Sequence, residues 1–261
     1  MYALLAWTWL RAAARYPVSL ALLTAAVAVV GALDLVAIML LFARAPVIAG
    51  FGAAEVLFLY GTSVLSFATA DLLLGSSSRL GQHIRQGSLD AMLVRPVSPL
   101  IQVATEDFSP RRTGKLIPGA VVLAAVLPRL DAPWDAGRIA MVPLMVLCGT
   151  AIFAGLWVLT ASLHFVLIDA HAATKSVTDG GGLLTQYPMS VFGRDFVRGV
   201  TFAVPLAFVN WQPALYVLDR PDPAGLPSWL RFASPAAAVL VCAAAALAWR
   251  SGLRHYRSTG S

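Results

Sequence analysis

Two stretches fix the class of molecule before any motif is considered. Val18 to Ala43 and about Ala53 to Leu74 are each long and apolar enough to cross a bilayer. A hydrocarbon core about 30 Å thick takes about 20 apolar residues in a helix. The first stretch is interrupted only by Asp34, and it continues past any signal-peptidase site, so it reads as a retained span. Four more candidates follow: Lys115 to about Trp134, with a short apolar centre (Leu116 to Leu127); Ile139 to about Ile168, overlong; about Gly199 to Leu218, which contains Pro205 and Pro213; and Phe232 to Trp249. Charged residues make up only 12% of the chain, about half the usual share of a soluble domain. That deficit excludes a water-soluble globule, a disordered chain and a free nucleic-acid binder. Cys148 and Cys242 both lie in apolar runs and are expected to be buried and reduced. The expected fold is an all-α membrane protein, a single transmembrane domain over 1–261 with spans at about 18–43, 53–74, 115–134, 139–168, 199–218 and 232–249.

Arginine and lysine orient these spans, because cytoplasmic loops hold the excess of positive charge. With both termini cytoplasmic, the inside segments carry Arg11, Arg15, Arg79, Arg85, Arg95, Arg111, Arg112, Lys115, Lys175, Arg194, Arg198, Arg250, Arg254 and Arg257. The outside keeps Arg44, Arg129, Arg138, Arg220 and Arg231. Trp134, Trp211 and Trp229 then fall near the outer boundary, and Trp7, Trp9 and Trp249 near the inner one, as interfacial indoles do. Residues 1–16 place Thr8, Arg11 and Arg15 on one helical stripe with apolar residues opposite. This predicts an interfacial elbow helix on the inner membrane face, ending at Pro17; the alternative is the ragged start of the first span.

Two inside loops are long, about 75–114 and about 169–198. In the first, Gly87 followed by Ser88 reads as a helix start, with Ser88 as the cap and Asp90 in the first turn. Leu89, Met92, Leu93 and Pro96 follow i, i+3, i+4, i+7 spacing and form one short apolar face, which Pro96 and Pro99 keep from extending. Such a helix either rests on the lipid or its own bundle, or inserts into a soluble partner.

The run Ile84-Arg-Gln-Gly-Ser-Leu-Asp-Ala-Met-Leu-Val-Arg-Pro-Val-Ser98 resembles the cytoplasmic motif of ABC-2-type permeases, the membrane subunits of bacterial ABC exporters. Tyr187-Pro188, the stretch Thr201 to Tyr216 and the carboxyl end Gly252 to Ser261 are similar to the branch that includes viologen and multidrug exporters. The resemblance implies a dimer, often of two different permeases, with a pair of ATPase subunits docked below. It implies a coupling helix in the cytoplasmic loop 75–114, which puts Gln86, Gly87, Ser88, Leu89, Asp90, Leu93, Arg95 and Pro96 at the ATPase contact. It also implies that the outer ends of the fifth and sixth spans close the export route. Because Asp219 to Arg231 is short, any re-entrant element must come from Pro205 to Leu218. The function implied is an efflux permease of the bacterial inner membrane, moving a hydrophobic or amphipathic compound outward, a cationic one in one version. ATP and magnesium would be bound by the partner, not by this chain.

The chain carries no phosphate-cradling G-x-x-x-x-G-K-[ST] loop: Lys115 is followed by Leu116, and Lys175, though followed by Ser176, is preceded by Thr174. His164, Asp169 and His171 lie close in sequence, but the two histidines stand about 10 Å apart along a helix, and ordinary interfacial polar residues explain them better than a metal. No paired catalytic carboxylates and no G-x-S-x-G elbow are present, so neither a catalytic residue nor a metal ligand is expected. Asp34 is the one acid well inside a span, where a charge costs at least about 2.5 kcal/mol. It should face protein or water, as part of a substrate path that meets cations or as a structural partner. Asn210 and Gln212, flanking Trp211, could bond the carbonyls freed near Pro213, or line the path. The main rival function is a proton-coupled secondary transporter, for which Asp34 is the only candidate acid near a midplane; a lipid-modifying membrane enzyme comes third.

Overall fold

The computed structural model describes residues 2–106, 110–167 and 170–256. Helix α1 (Tyr2–Ala14) leads into α2 (Pro17–Arg44). Pro17 opens α2 at a position where its missing N–H breaks no helical bond. A tight hairpin, β1 (Val47–Ile48) and β2 (Phe51–Gly52), turns the chain back. Its tip places Ala49 (φ 50°) and Gly50 (φ 88°) in the left-handed region. Helix α3 (Ala53–Leu74) starts where the Glu55 carboxylate accepts the Gly52 N–H at 2.8 Å. The short helices α4 (Leu80–Arg85), α5 (Ser88–Leu93) and α6 (Pro99–Thr105) come next. Then follow α7 (Leu116–Val126), α8 (Ala136–Ser162), α9 (His171–Leu184), α10 (Arg194–Phe202), α11 (Trp211–Val217) and α12 (Ser234–His255).

Among the described residues, four helical stretches are long and apolar enough to cross a membrane: α2, Ala53–Arg85, Ala136–Phe165 and α12. Two of the six expected spans differ. The third shrinks to the eleven residues of α7, about 16 Å of rise. Pro128 in the turn Leu127–Arg129 ends it by removing a helical donor. The stretch 199–218 is not one helix: α10 and Leu206–Val217 meet at 81°. Pro205 sits in that break, whereas Pro213 lies in the first turn of α11, where its ring disrupts no bond.

Helix α9, expected as part of a loop, instead runs antiparallel along α3. At its start the Thr174 hydroxyl reaches the Thr160 carbonyl near the end of α8. A Cβ on Gly182 would meet the Phe67 ring at 2.7 Å, and Thr185 meets the Ser63 hydroxyl at 2.6 Å. Beyond the helix, Ser190 donates to the Ala49 carbonyl in the hairpin. The chain from 174 to 190 therefore climbs from the α4 end of α3 to its hairpin end. After α10 the chain dips back: Leu206 packs on Gly181 and the Val209 carbonyl lies against Gly149. Helix α11 then returns to the hairpin end, where Arg220 pairs with Glu55 at 2.9 Å.

Small residues let the helices approach. A Cβ on Gly61 would stand 3.2 Å from the Leu123 backbone N, and one on Gly119 3.2 Å from that of Leu65, so α3 and α7 cross glycine to glycine. Gly155 does the same for α8 against Val241 of α12. Most of the core lies among α3, α7, α8, α11 and α12, while α2 buries only Ile38 and Phe42. A second, smaller core joins Leu80, Leu89, Met92 and Val103 to Val158 and Trp249. Two tryptophans expected at the interface are interior: Trp211 is 1% exposed and stacks near Phe51, and Trp249 belongs to the smaller core. Cys148 is buried as expected, but Cys242 lies on the outer face of α12; both are free.

Candidate functional site

Helix α3 presents Tyr60, Val64, Phe67, Ala68 and Asp71 on one stripe, which Gly75 just beyond its end continues, and that stripe is the floor of a groove. One wall is α2, through Val27, Val30, Gly31 and Asp34, again one helical face. The other wall is α9, through Thr174, Lys175, Thr178 and Asp179, with Gln186 just beyond. Two cavities of about 300 and 290 Å³ lie along it, with Val27, Phe67 and Lys115 lining both. By helical rise, Tyr60 to Gly75 spans about 22 Å, most of the thickness of a bilayer core.

The end of the groove near α4 is charged. Asp71 is 8% exposed, and a carboxylate buried so deeply requires partners. Lys115 supplies one at 2.8 Å and Arg112 another at 3.9 Å. The Arg112 guanidinium also donates to the Asp71 carbonyl (3.1 Å) and the Ser76 hydroxyl (3.2 Å). Lys115 lies over the Phe67 ring at 5.4 Å, and both residues line the two cavities. The middle is apolar. At the other end stand Asp34, which is exposed into the groove, the Tyr60 hydroxyl bonded to the Gly31 carbonyl at 2.9 Å, and Gln186. None of this cluster except Asp34 follows from sequence spacing, because Asp71, Arg112 and Lys175 are brought together by the packing of two separate segments, the turn 110–115 and α9, on α3.

Asn210 and Gln212 lie elsewhere. Asn210 is fully buried and donates to the carbonyls of Leu59 (2.9 Å) and Thr185 (2.8 Å), stitching the dip to α3 and to the end of α9. Gln212 donates to Asp222 at 2.7 Å. Both lie in the packed interior, away from the residues that line the groove.

The short helix α5 begins at Ser88, after Gly87 in the left-handed region (φ 68°). Ser88 is the first helical residue and not the cap; its hydroxyl meets the His83 ring nitrogen at 2.9 Å, and the other ring nitrogen faces Glu106 at 3.3 Å. Leu89 (0% exposed) and Met92 pack inward on the smaller core, so half of the expected apolar face is used within the chain. The outward surface is Gln86, Leu93, Val94, Arg95 and Pro96, with Gly87, Ser88 and Asp90 at its edge. Helix α1 lies beside this region: Leu5 and Trp9 line a hollow with Ser88, Met92, Arg95 and Gln102, and the Tyr2 hydroxyl donates to the Leu73 carbonyl. Burial pushes the Tyr2 phenol up, against the pull of Arg112.

At the hairpin end, Arg138 binds Asp135 (2.8 Å) and Asp219 (3.2 Å). Asp135 also accepts the Arg138 backbone N–H as the cap of α8, and this bond first, then the Gly137 backbone N–H and the Arg138 charge, holds its carboxyl below the usual range. Of the residues His164, Asp169 and His171, only the side chain of His164 is described, and it is buried near Gly81; Asp169 and the side chain of His171 lie outside the described residues, as do 257–261. Among the described residues no group of histidine, cysteine and acids could hold a metal.

Comparison with known proteins places these features in a family. The sequence model of the ABC-2 family transporter proteins matches residues 28–260, and the chain belongs to that family. It is a multi-pass membrane protein of the ABC transporter permease type, a transport component of a kind that generally works with a separate ABC ATPase. No curated protein and no solved structure matches the chain.

Proposed function

We propose that this ABC-2 family chain is the non-catalytic permease subunit of an ATP-driven exporter in a bacterial cytoplasmic membrane, moving a hydrophobic or amphipathic compound outward. The family match over 28–260 is the observation that carries this reading. Two copies of a separate ATPase, holding ATP and magnesium, would dock on the inner side, and a second permease, identical or homologous, would complete the complex. Both termini would be cytoplasmic.

In this reading the six crossings are α2, α3, α7, α8, α9 with its extension to 190, and α12. Residues 194–218 dip into the membrane from the outer side and return. Arg194 and Arg198 then move outside, which leaves twelve basic residues inside against seven outside, so the orienting bias keeps its sign. The ATPase contact is the outward surface of the tip at 86–96, centred on Leu93, Val94, Arg95 and Pro96. The groove is the substrate path, with Asp34 as the acid that a cationic centre would meet. For ATP to drive transport, the compound must bind the two bundle states with different affinity. Reconstitution of the chain with its ATPase in vesicles tests the reading: transport should need ATP and both chains. Transport that survives ATP removal but collapses with the proton gradient would overturn it.

A further inference from the structure

The groove carries opposite charge at its two ends. At the inner end Arg112, Lys115 and Lys175 face only two carboxylates, Asp71 and Asp179. Asp71 is already shared between Arg112 and Lys115, so the surplus there is positive. The second cavity is lined by two charged groups, Lys115 where it meets the first and Asp34 toward its far end beside Gly31 and Tyr60. Between them the walls are Val30, Val64, Ala68 and Pro118. Helical rise separates the ends by roughly 10–16 Å, taken from Asp34 to Val27 on α2 and from Tyr60 to Asp71 on α3.

A ligand with charge of one sign meets attraction at one end and repulsion at the other. In a low-dielectric groove neither is well screened. We infer that the groove takes a zwitterionic amphiphile, with an acidic group toward Lys115 and Lys175, an apolar body along α3, and an amine toward Asp34. The inference deepens the transport reading by naming the substrate class of the same groove. It explains why an acid is retained at mid-span on α2 while a lysine is held over Phe67 at the opposite end: each end selects one charge, and together they fix the direction in which the ligand lies. Complementary charge at both ends also discriminates against simple lipids that carry charge at one end only.

Binding to the purified full chain in neutral-lipid nanodiscs tests this without the ATPase. The probes are ω-aminododecanoic acid, dodecanoic acid and dodecylamine, which share one apolar body. The zwitterion should bind about tenfold more tightly than either single-charge probe, a difference of about 1.4 kcal/mol. Asp34→Asn should bring its affinity down to that of dodecanoic acid, and Lys175→Gln should weaken both acids while sparing the amine. Asp34 and Lys175 are both exposed, so neither change disturbs the core. Equal affinity for the three probes, or a preference for the zwitterion that survives Asp34→Asn, would overturn the inference. ATPase association measured on the same variants separates the two claims: a permease that keeps its ATPase but shows no charge selectivity sinks this inference alone.

Discussion

Leu89 and Leu93 sit one turn apart on α5 and should fail in different ways when changed. Leu89 is 0% exposed and packs with Leu80, Met92, Val103 and Trp249. Truncating a buried leucine to alanine costs about 2–5 kcal/mol, toward the upper value where neighbours cannot collapse into the space. The same cluster includes Val158 of α8 and Trp249 of α12, both on longer helices, so relaxation is limited. The expected loss in melting temperature for Leu89→Ala is about 5–15 °C for a chain of this size. Leu93 is 42% exposed at the last position of α5, where an acid facing the carbonyl end of a helix costs about 0.3–1 kcal/mol, well below the Leu89 loss. Leu93→Asp should therefore lower melting far less yet abolish co-purification with the ATPase, because a charge is placed in the contact without a partner. Scanning fluorimetry in detergent and pull-down with the ATPase read the two effects separately. Unchanged melting for Leu89→Ala, or equal melting losses for both variants, would refute the division of this helix into an inner and an outer face.

Asn210→Ala removes both donors from the carbonyls of Leu59 and Thr185, and should cost about 1–3 kcal/mol in melting experiments, because those carbonyls stay buried. Gly149→Ala places a Cβ 2.9 Å from the Val209 carbonyl and 2.7 Å from the Ser66 hydroxyl; it should loosen the dip and raise proteolysis between 203 and 210. The Asp135 carboxyl is held low in the folded chain, so its contribution is present above its unfolded value of about 3.9 and is lost as pH falls through the lower folded value. The melting difference between the native chain and Asp135→Ala should therefore be full near neutrality and vanish in acid; a difference that persists in strong acid would contradict the assigned cap.

What the sequence makes legible follows from how local the determinants are. Helix α3 begins and ends where its apolar run does, at Ala53 and Leu74, because hydropathy and a Glu55 cap act within a few residues. The entry to α5 is visible in Gly87, whose left-handed backbone suits glycine, but the Ser88 cap is not realised because His83 captures its hydroxyl. Helix α9 is invisible to hydropathy: Thr174, Lys175, Thr178 and Asp179 face the groove, and the glycines 181 and 182 face Leu206 and Phe67. Its partner surface is another part of the chain, so no apolar run marks it. Trp211 has the same origin; its neighbours suggest an interface, but the break at Pro205 folds it into the core. The groove is legible only through Asp34, since Asp71 meets its partners Arg112 and Lys115 across 41 and 44 positions of sequence.

The central claim, that a separate ATPase drives this permease from the tip at 86–96, is tested most directly by a photo-crosslinking residue placed at Val94, with Val47 as its counterpart. Val94 is 84% exposed on the tip and Val47 60% exposed in the hairpin at the opposite end of α3. The Val94 probe should capture the ATPase subunit in native membranes and the Val47 probe should capture none. Capture from Val47, or none from Val94 in a complex that transports, would contradict the claim.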